Sequence, residues 1–402
     1  MTSAASVTAA LQKQFILEHR NDDVRQLALS AHRYPTVNVP EAIVQISGWQ
    51  AARRKLPRWA AIDDILYPPH LSLEQCSSQL TAAYKASIVE GGDTMADLTA
   101  GFCVDAAYLA QKYHHLHVVE HNARLCQIAQ NNLPLLGITH FTISQGEAEE
   151  LLDSLPSQDL LYLDPARRDE HGSRVVAISD CIPDVSRLQD RLRAKASTLL
   201  IKLSPMLDLR QILSTLTSVS EIHIISVEGE CKELLVKITS TATTPEIICV
   251  NLKSDGALQR LAFTDASEHQ STCPYAATPD TYLYEPNASI MKAGCFKTIA
   301  TTYAVRKLSP NSHLYTSDSL VPDFLGRTFQ VQAVTPFNKK AMKNFLQGIQ
   351  KANLTVRNFP QSVNELRKRL KLSEGGDTYL FATTLLDNTK VLIKTSRVSK
   401  PA

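Results

Sequence analysis

The stretch Met95-Ala-Asp-Leu-Thr-Ala-Gly-Phe-Cys-Val-Asp105 constrains the fold of this chain more than any other. A short apolar run ends in Asp97, and a glycine-bearing turn follows at Gly101. Ala106, Leu109, Ala110 and Tyr113 then fall on one helical face. A strand, a tight turn and a helix in that order build the floor of a small-molecule site at the strand's carboxyl end. Gly101 has no Cβ, so a ligand can approach the backbone there.

The pattern repeats downstream. His117-Val-Val-Glu120 reads as a second strand, and a helix through Leu125, Ile128 and Ala129 is predicted to end before Pro134 and Gly137. Phe141-Thr-Ile-Ser144, Leu160-Leu-Tyr-Leu-Asp164 and Thr198-Leu-Leu-Ile-Lys202 supply three more strands. Short apolar strands alternating with helices predict an α/β, Rossmann-like parallel sheet covered on both faces.

Ligands in such a sheet sit beyond the carboxyl ends of the strands. Asp97 closes the first strand. Glu120 closes the second, about 20 residues after the glycine turn, the spacing at which a carboxylate accepts from ribose hydroxyls. Glu147 follows the third strand and is placed to accept from an adenine amino group. Asp164 closes the fourth and opens Asp-Pro-Ala-Arg-Arg168. One carboxylate at a strand end is ordinarily a solvated loop residue or a cap; four at successive strand ends point to a site. A nicotinamide dinucleotide would call for G-x-G-x-x-G facing a pyrophosphate. This turn holds one glycine, with Ala100 and Cys103 beside it, which favours S-adenosylmethionine (SAM), a cofactor without phosphate. The expected cofactor set is Asp97, Thr99, Gly101, Glu120, His121, Glu147 and Ala148; for His121 a plain surface position is the alternative.

The chain has 402 residues, 44% hydrophobic and 20% charged, with a formal net charge of +2. That is globular and long enough for several domains. No apolar run reaches membrane-spanning length and the amino terminus has no signal-peptide core, so a cytoplasmic location without membrane partners is expected. Eight scattered cysteines without a C-x-x-C pair read as free thiols of a reducing compartment, and no metal site is expected.

The sequence divides into residues 1–90, a helical domain; 91–245, the sheet domain; 246–325, a small α+β linker domain; and 326–402, a basic α+β domain. In the first, Arg53-Arg-Lys-Leu-Pro-Arg-Trp59 is either a phosphate-binding cluster with a stacking indole or a solvated helix end with Trp59 packed inward. Ser72 is read as a helix cap. In the last, Phe329 to Val334 and Thr355 to Asn358 are strands, Lys339 to Gln350 is a helix, and Ser362 with Glu365 forms a capping box. Lys339, Lys340, Lys343, Arg357, Arg367, Lys368, Arg369, Lys371, Lys390, Lys394 and Arg397 face few acids there. This is the footprint of nucleic-acid binding, or else ordinary surface solvation.

Along nearly its whole length the chain resembles the bacterial class I SAM-dependent methyltransferases that carry a carboxyl-terminal THUMP-like domain. The resemblance rests on Gln45-Ile46, Lys55-Leu-Pro57, Asp97-Leu-Thr-Ala-Gly101, Tyr162-Leu-Asp-Pro-Ala-Arg-Arg168 and Lys202-Leu-Ser-Pro-Met206. It continues through Glu230-Cys-Lys-Glu-Leu234, Tyr282-Leu-Tyr-Glu-Pro-Asn287, and Gly375-Gly376 before Tyr379-Leu-Phe-Ala-Thr383. The chain departs from the family at Ala100 and Cys103, where glycines are usual. The resemblance implies a seven-stranded methyltransferase sheet whose last strand is antiparallel, with Glu221–Ile225 and Leu234–Ile238 as its last two strands. It also implies ferredoxin-like and THUMP-like carboxyl-terminal domains, and tRNA or rRNA as substrate.

In amino-methylating enzymes an acidic residue before proline accepts the protons of the reacting nitrogen and orients its lone pair. Asp164, Pro165 and Arg167 are accordingly the expected catalytic residues, although Ala166 and Arg167 stand where an aromatic residue usually stacks the base. Asp-Pro-Ala-Arg also resembles the motif of RNA uridine C5 methyltransferases. Those need a cysteine after the fifth strand, where this chain has Ser204, a poor nucleophile without a base beside it. N-methylation of a base is therefore expected over C5-methylation. Arg168, Lys202 and Ser204 are the expected substrate contacts. For Arg167 and Arg168 a salt bridge to Asp169 or Glu170 is the alternative, and for Lys202 a solvated loop. An idle RNA-binding protein that kept the sheet, and a methyltransferase of proteins or small molecules, are the remaining functional classes.

Overall fold

The computed structural model describes residues 4–167, 177–240 and 244–398. Its larger sheet contains β1 (Gly92–Asp97), β2 (Tyr113–Glu120), β3 (Phe141–Gln145), β4 (Gln158–Leu163), β5 (Ala196–Leu203), β6 (Val219–Val227), β7 (Glu230–Thr239), β8 (Glu246–Leu252) and β9 (Leu258–Phe263). The strand order is β9-β8-β6-β7-β5-β4-β1-β2-β3. The seven strands expected from the sequence thus appear, and the sheet carries two more, β8 and β9, from the stretch read as a linker domain. The chain forms two compact units, one of residues 1–220 with 235–243, the other of residues 221–234 with 244–402.

In the first unit β1 pairs in parallel with β2 and β4, β2 with β3, and β4 with β5. The register brings the strand ends level: Asp97 lies opposite Val118 and Tyr162, and Glu120 opposite Gln145. β1, β2 and β4 are apolar at their centres, with Met95, Ala96, Leu116, Val118, Leu160 and Leu161 buried, as strands covered on both faces must be. The polar residues that end them therefore emerge together at one rim.

The amino-terminal region is helical, with its own core of Phe15, Leu27, Val39, Ala42 and Ile46. The basic stretch ends the helix Val39–Lys55 and opens the short helix Pro57–Ala60. Trp59 is 1% exposed and meets Phe102 edge-on at 4.9 Å, so it packs inward and stacks on no base. The guanidinium of Arg53 lies over Trp49. Ser72 is not a cap: it lies inside the helix His70–Gln75, which follows Pro69. The capping serine is Ser78, whose Oγ accepts from Thr81 N–H at the start of helix Gln79–Ser87. Helix Ala123–Leu135 runs through Pro134 instead of stopping before it. So late in the helix the ring forfeits one intrahelical bond, and Gly137 in the left-handed region closes the end.

In the second unit β8 lies parallel to β6 and antiparallel to β9. A second sheet contains β10 (Tyr282–Pro286), β11 (Arg306–Lys307), β12 (Tyr315–Ser317), β13 (Gly326–Pro336), β14 (Asn353–Arg357), β15 (Tyr379–Thr384) and β16 (Lys390–Arg397), in the order β11-β12-β10-β13-β16-β15-β14. Leu283, Leu308, Leu314, Phe329, Phe381 and Ile393 share one core cluster. Ser362 and Glu365 form the expected capping box on helix Val363–Leu370. The preceding helix, Lys339–Phe345, stops short of Gln350.

Candidate active site

The turn after β1 is held by its own side chains. Thr99 N–H donates to Asp97 Oδ1 at 3.0 Å, and Thr99 Oγ1 accepts from Asp164 N–H at 2.6 Å. One threonine therefore joins the ends of β1 and β4. Gly101 N–H donates to Glu120 Oε2 at 2.7 Å and Asn122 N–H to Oε1 at 2.9 Å. Glu120, buried, thus fastens the glycine turn to the end of β2. Gly101 has φ +53°, and a Cβ built there would meet nothing nearer than Thr99 O at 3.9 Å, which leaves room above the turn. Cys103 also lies in the left-handed region, at φ 59°. A glycine would adopt that backbone without strain.

Asp97 is 1% exposed and makes no ion pair among the described residues. Burial pushes its carboxyl well above the usual range; the Thr99 N–H opposes this, and Asp105, Asp164 and Glu120 add to it. A buried carboxylate without a counter-charge suits a cationic ligand group.

Asp164 is not a bare acceptor. Lys202 Nζ donates to its Oδ2 at 2.5 Å, with side-chain exposures of 13% for Lys202 and 37% for Asp164. The lysine expected to face substrate thus pairs with the residue expected to orient it. Lys55 is within electrostatic reach of Lys202; burial lowers its pKa first, and Lys202 lowers it further against the opposing effect of Cys76. Its ammonium donates to Leu73 O at 2.9 Å and to Glu74 O. The Cys76 thiol is pushed up to about 11 by burial, with Lys55 and Lys202 pulling it down.

A second buried group lies under the turn. Asp105, in the first turn of helix Val104–Leu109, receives Lys85 Nζ at 3.0 Å on Oδ1, and Ser77 Oγ and Tyr162 OH, both at 2.7 Å, on Oδ2. Lys85 Nζ also donates to Ser77 Oγ at 2.8 Å. Sequence reading passed over Asp105 and Lys85, because nothing in either neighbourhood marks two residues twenty positions apart as partners. Lys55 and Tyr162 stood inside quoted motifs without being given a role.

The remaining expected residues are less tightly joined. Pro165 is buried. His121 is exposed, its Nδ1 3.3 Å from Glu120 Oε1. Glu147 stands exposed before helix Ala148–Leu151 and does not cap it, while Ala148 is buried. Ser204 Oγ accepts from Met206 N–H at 3.3 Å. Ala166 and Arg167 form a short antiparallel ladder with Cys181 and Ile182. The side chain of Arg167, together with Arg168, Asp169 and Glu170, lies outside the described residues.

The second unit gathers its own charges. Glu285, 3% exposed, accepts from Arg327 and, through Oε1, from Arg357 Nη2 at 2.8 Å. Arg357 is therefore withdrawn from the basic surface expected there. Arg367 donates to Ala352 O and Arg369 lies over Phe337. Lys339, Lys340, Lys343, Lys368, Lys371 and Lys390 stay exposed.

Comparison with known proteins places this architecture. A candidate methyltransferase from Porphyromonas gingivalis W83 is 35% identical and superposes with a TM-score of 0.89, over 99% of this chain and 100% of that one. The chain belongs to that methyltransferase family. Within this family member, residues 282–324 match a ferredoxin-like domain model and residues 326–397 a THUMP-like domain model. An rRNA methylase from Streptococcus thermophilus is 13% identical, over 40% of this chain and 94% of that one, with a TM-score of 0.30. TrmK of M. capricolum, solved with S-adenosylhomocysteine, is 14% identical, over 40% of this chain and 69% of that one, also with a TM-score of 0.30. Likenesses that slight carry no argument. No curated protein matches the chain.

Proposed function

We propose that this methyltransferase uses SAM to methylate a base nitrogen of tRNA or rRNA. The observation that carries the reading is the hydrogen-bonded set Asp97–Thr99–Asp164 and Gly101–Glu120, which gathers the ends of three parallel strands at one rim. When bound, SAM supplies an electrophilic methyl group on a sulfonium centre. Asp97 would meet the cation, and Glu120, with lone pairs beyond those its two backbone donors use, would accept from the ribose. His121, Glu147 and Ala148 would border the adenine. Asp164, held by its own N–H on Thr99, would keep Oδ1 for the N–H of the reacting base, so that its contribution is mainly orientation. Ser204, Arg167 and Arg168 would lie on the substrate side.

The RNA part of the reading rests on the THUMP-like segment and its exposed lysines. Titrating SAM into the protein by calorimetry separates an enzyme from an idle RNA-binding relic; no heat of binding removes the enzyme. Retention of tRNA that weakens steeply with salt is expected, and no retention at low salt would turn the reading towards a protein or small-molecule substrate. Asp164→Ala should abolish transfer and leave SAM affinity in place, whereas Glu120→Ala should weaken SAM binding first. If both variants lost only cofactor binding, this division of roles would fail.

A further inference from the structure

Thr99 was expected on the cofactor side, yet its hydroxyl is turned to the residue assigned to substrate. We infer that Thr99 is a positioning residue for methyl transfer, whose hydroxyl fixes Asp164 relative to the cofactor turn. This deepens the proposed function and rests on it.

The ladder between β1 and β4 ends at Asp97 and Tyr162, and Leu98 N–H adds one further bond, 3.0 Å to Tyr162 O. The next rung of a parallel ladder would use the N–H of Asp164. That N–H donates instead to Thr99 Oγ1 at 2.6 Å, across 65 residues of sequence. Asp164 is half-buried, and a backbone N–H withdrawn from water costs free energy when it has no acceptor. A threonine that merely shaped its own turn would bond within the loop. Thr99 does so through its N–H, to Asp97 Oδ1, and gives its hydroxyl to another strand. Asp164 is thereby held at two points, its N–H by Thr99 and its Oδ2 by Lys202. Pro165 further confines the backbone of Asp164 to extended conformations. Only Oδ1 is left to meet substrate. The acid assigned to the sulfonium and the acid assigned to the base therefore share a single support. Methyl transfer is sensitive to that spacing, since a shift of about 1 Å between reacting groups lowers a rate by roughly a hundredfold. The two bonds of Thr99 are separable by substitution. Any residue but proline at this position keeps the N–H on Asp97, and only a hydroxyl-bearing one keeps the acceptor for Asp164.

The test uses the purified full chain, SAM labelled in its methyl group, and RNA from cells lacking the protein. Single-turnover transfer at saturating SAM and SAM affinity by calorimetry are compared for the natural chain, Thr99→Val, Thr99→Ala and Thr99→Ser. Thr99→Val and Thr99→Ala should bind SAM within about threefold of the natural chain, which also shows that they fold, and transfer about ten- to a hundredfold more slowly. Either of these two suffices if the other does not fold. Thr99→Ser retains the acceptor oxygen and should restore transfer to within about threefold. Transfer by the folded Val or Ala variant within about threefold of the natural chain would overturn the inference. So would a loss of SAM affinity as large as the loss of rate, which would make Thr99 a cofactor ligand, or a Thr99→Ser variant as slow as Thr99→Ala. No label passing to RNA with the natural chain would sink the RNA reading itself, and the inference with it.

Discussion

Replacing Lys85 with methionine would expose how much the buried group beneath the glycine turn contributes. Lys85 is 0% exposed and the Asp105 side chain 8%. Methionine nearly matches the lysine in length, so packing is kept while the ammonium is lost. Asp105 would retain Ser77 and Tyr162 as donors but lose the cation directly paired with it. Removing one partner of a buried ion pair costs about 3–5 kcal/mol. At roughly 2–4 °C per kcal/mol for a unit of this size, melting of the first unit should fall by roughly 6–20 °C. Both tryptophans, Trp49 and Trp59, lie in that unit, so urea denaturation followed by their fluorescence reports on it alone. The dependence on pH has a definite sign. Burial by itself would raise the Asp105 carboxyl, but Lys85, Lys202, Ser77 and Tyr162 together hold it below its usual range. Its stabilising contribution is present above the unfolded carboxylate's pKa and is lost as pH falls through the folded one. The gap between natural chain and variant should therefore be widest near neutrality and close in acid. Adding Asp105→Asn to Lys85→Met should recover most of the loss. A cost under about 1 kcal/mol, or simple additivity of the two substitutions, would refute the reasoning.

Asp97→Asn should raise the ligand-free melting temperature at pH 8 and weaken SAM binding by about tenfold or more, since a charged acceptor is replaced by a neutral one. In the natural chain the folded carboxyl lies above its unfolded value, so its cost to stability grows as pH rises through that window. Over the same window SAM affinity should increase, with a proton released that calorimetry in buffers of differing ionisation heat detects. Glu120→Gln offers one acceptor oxygen to two backbone donors and should cost about 1–3 kcal/mol in urea unfolding. Glu285→Gln should cost about 1–3 kcal/mol, the partial exposure of both arginines limiting the loss, and hydrogen exchange should quicken first in β10 and β13.

Asp97, Glu120 and Asp164 were legible in the sequence because each ends a short apolar run, and parallel pairing must bring such ends to one rim. The seven strands themselves followed from the same alternation and from family likeness; their order in the sheet came only with the structure. What escaped notice depends on contacts with no local signature. Lys85 lies in an ordinary helix and Asp105 in the first turn of another, and only packing joins them. For Trp59 beside Arg58 the sequence leaves open stacking on a base or packing inward, and contact with Phe102 decides for the core. Ser72 resembled a cap because serine often is one, yet helix His70–Gln75 begins earlier, after Pro69. Arg357 counted as surface charge, although its partner, Glu285, is 72 residues away. The lysine on Asp164 was named in advance, but its bond to that carboxylate was not.

The clasp at Glu285 bears on how such a gene could be cut and rejoined. β10 belongs to the ferredoxin-like match and β13 to the THUMP-like one, and they are neighbouring antiparallel strands of a single sheet. Severing the chain at residue 325 would strip a row of hydrogen bonds from both edges and strand two arginines without their acid. The carboxyl-terminal segment is therefore no detachable cassette, and a soluble fragment for RNA-binding work should begin upstream of Tyr282.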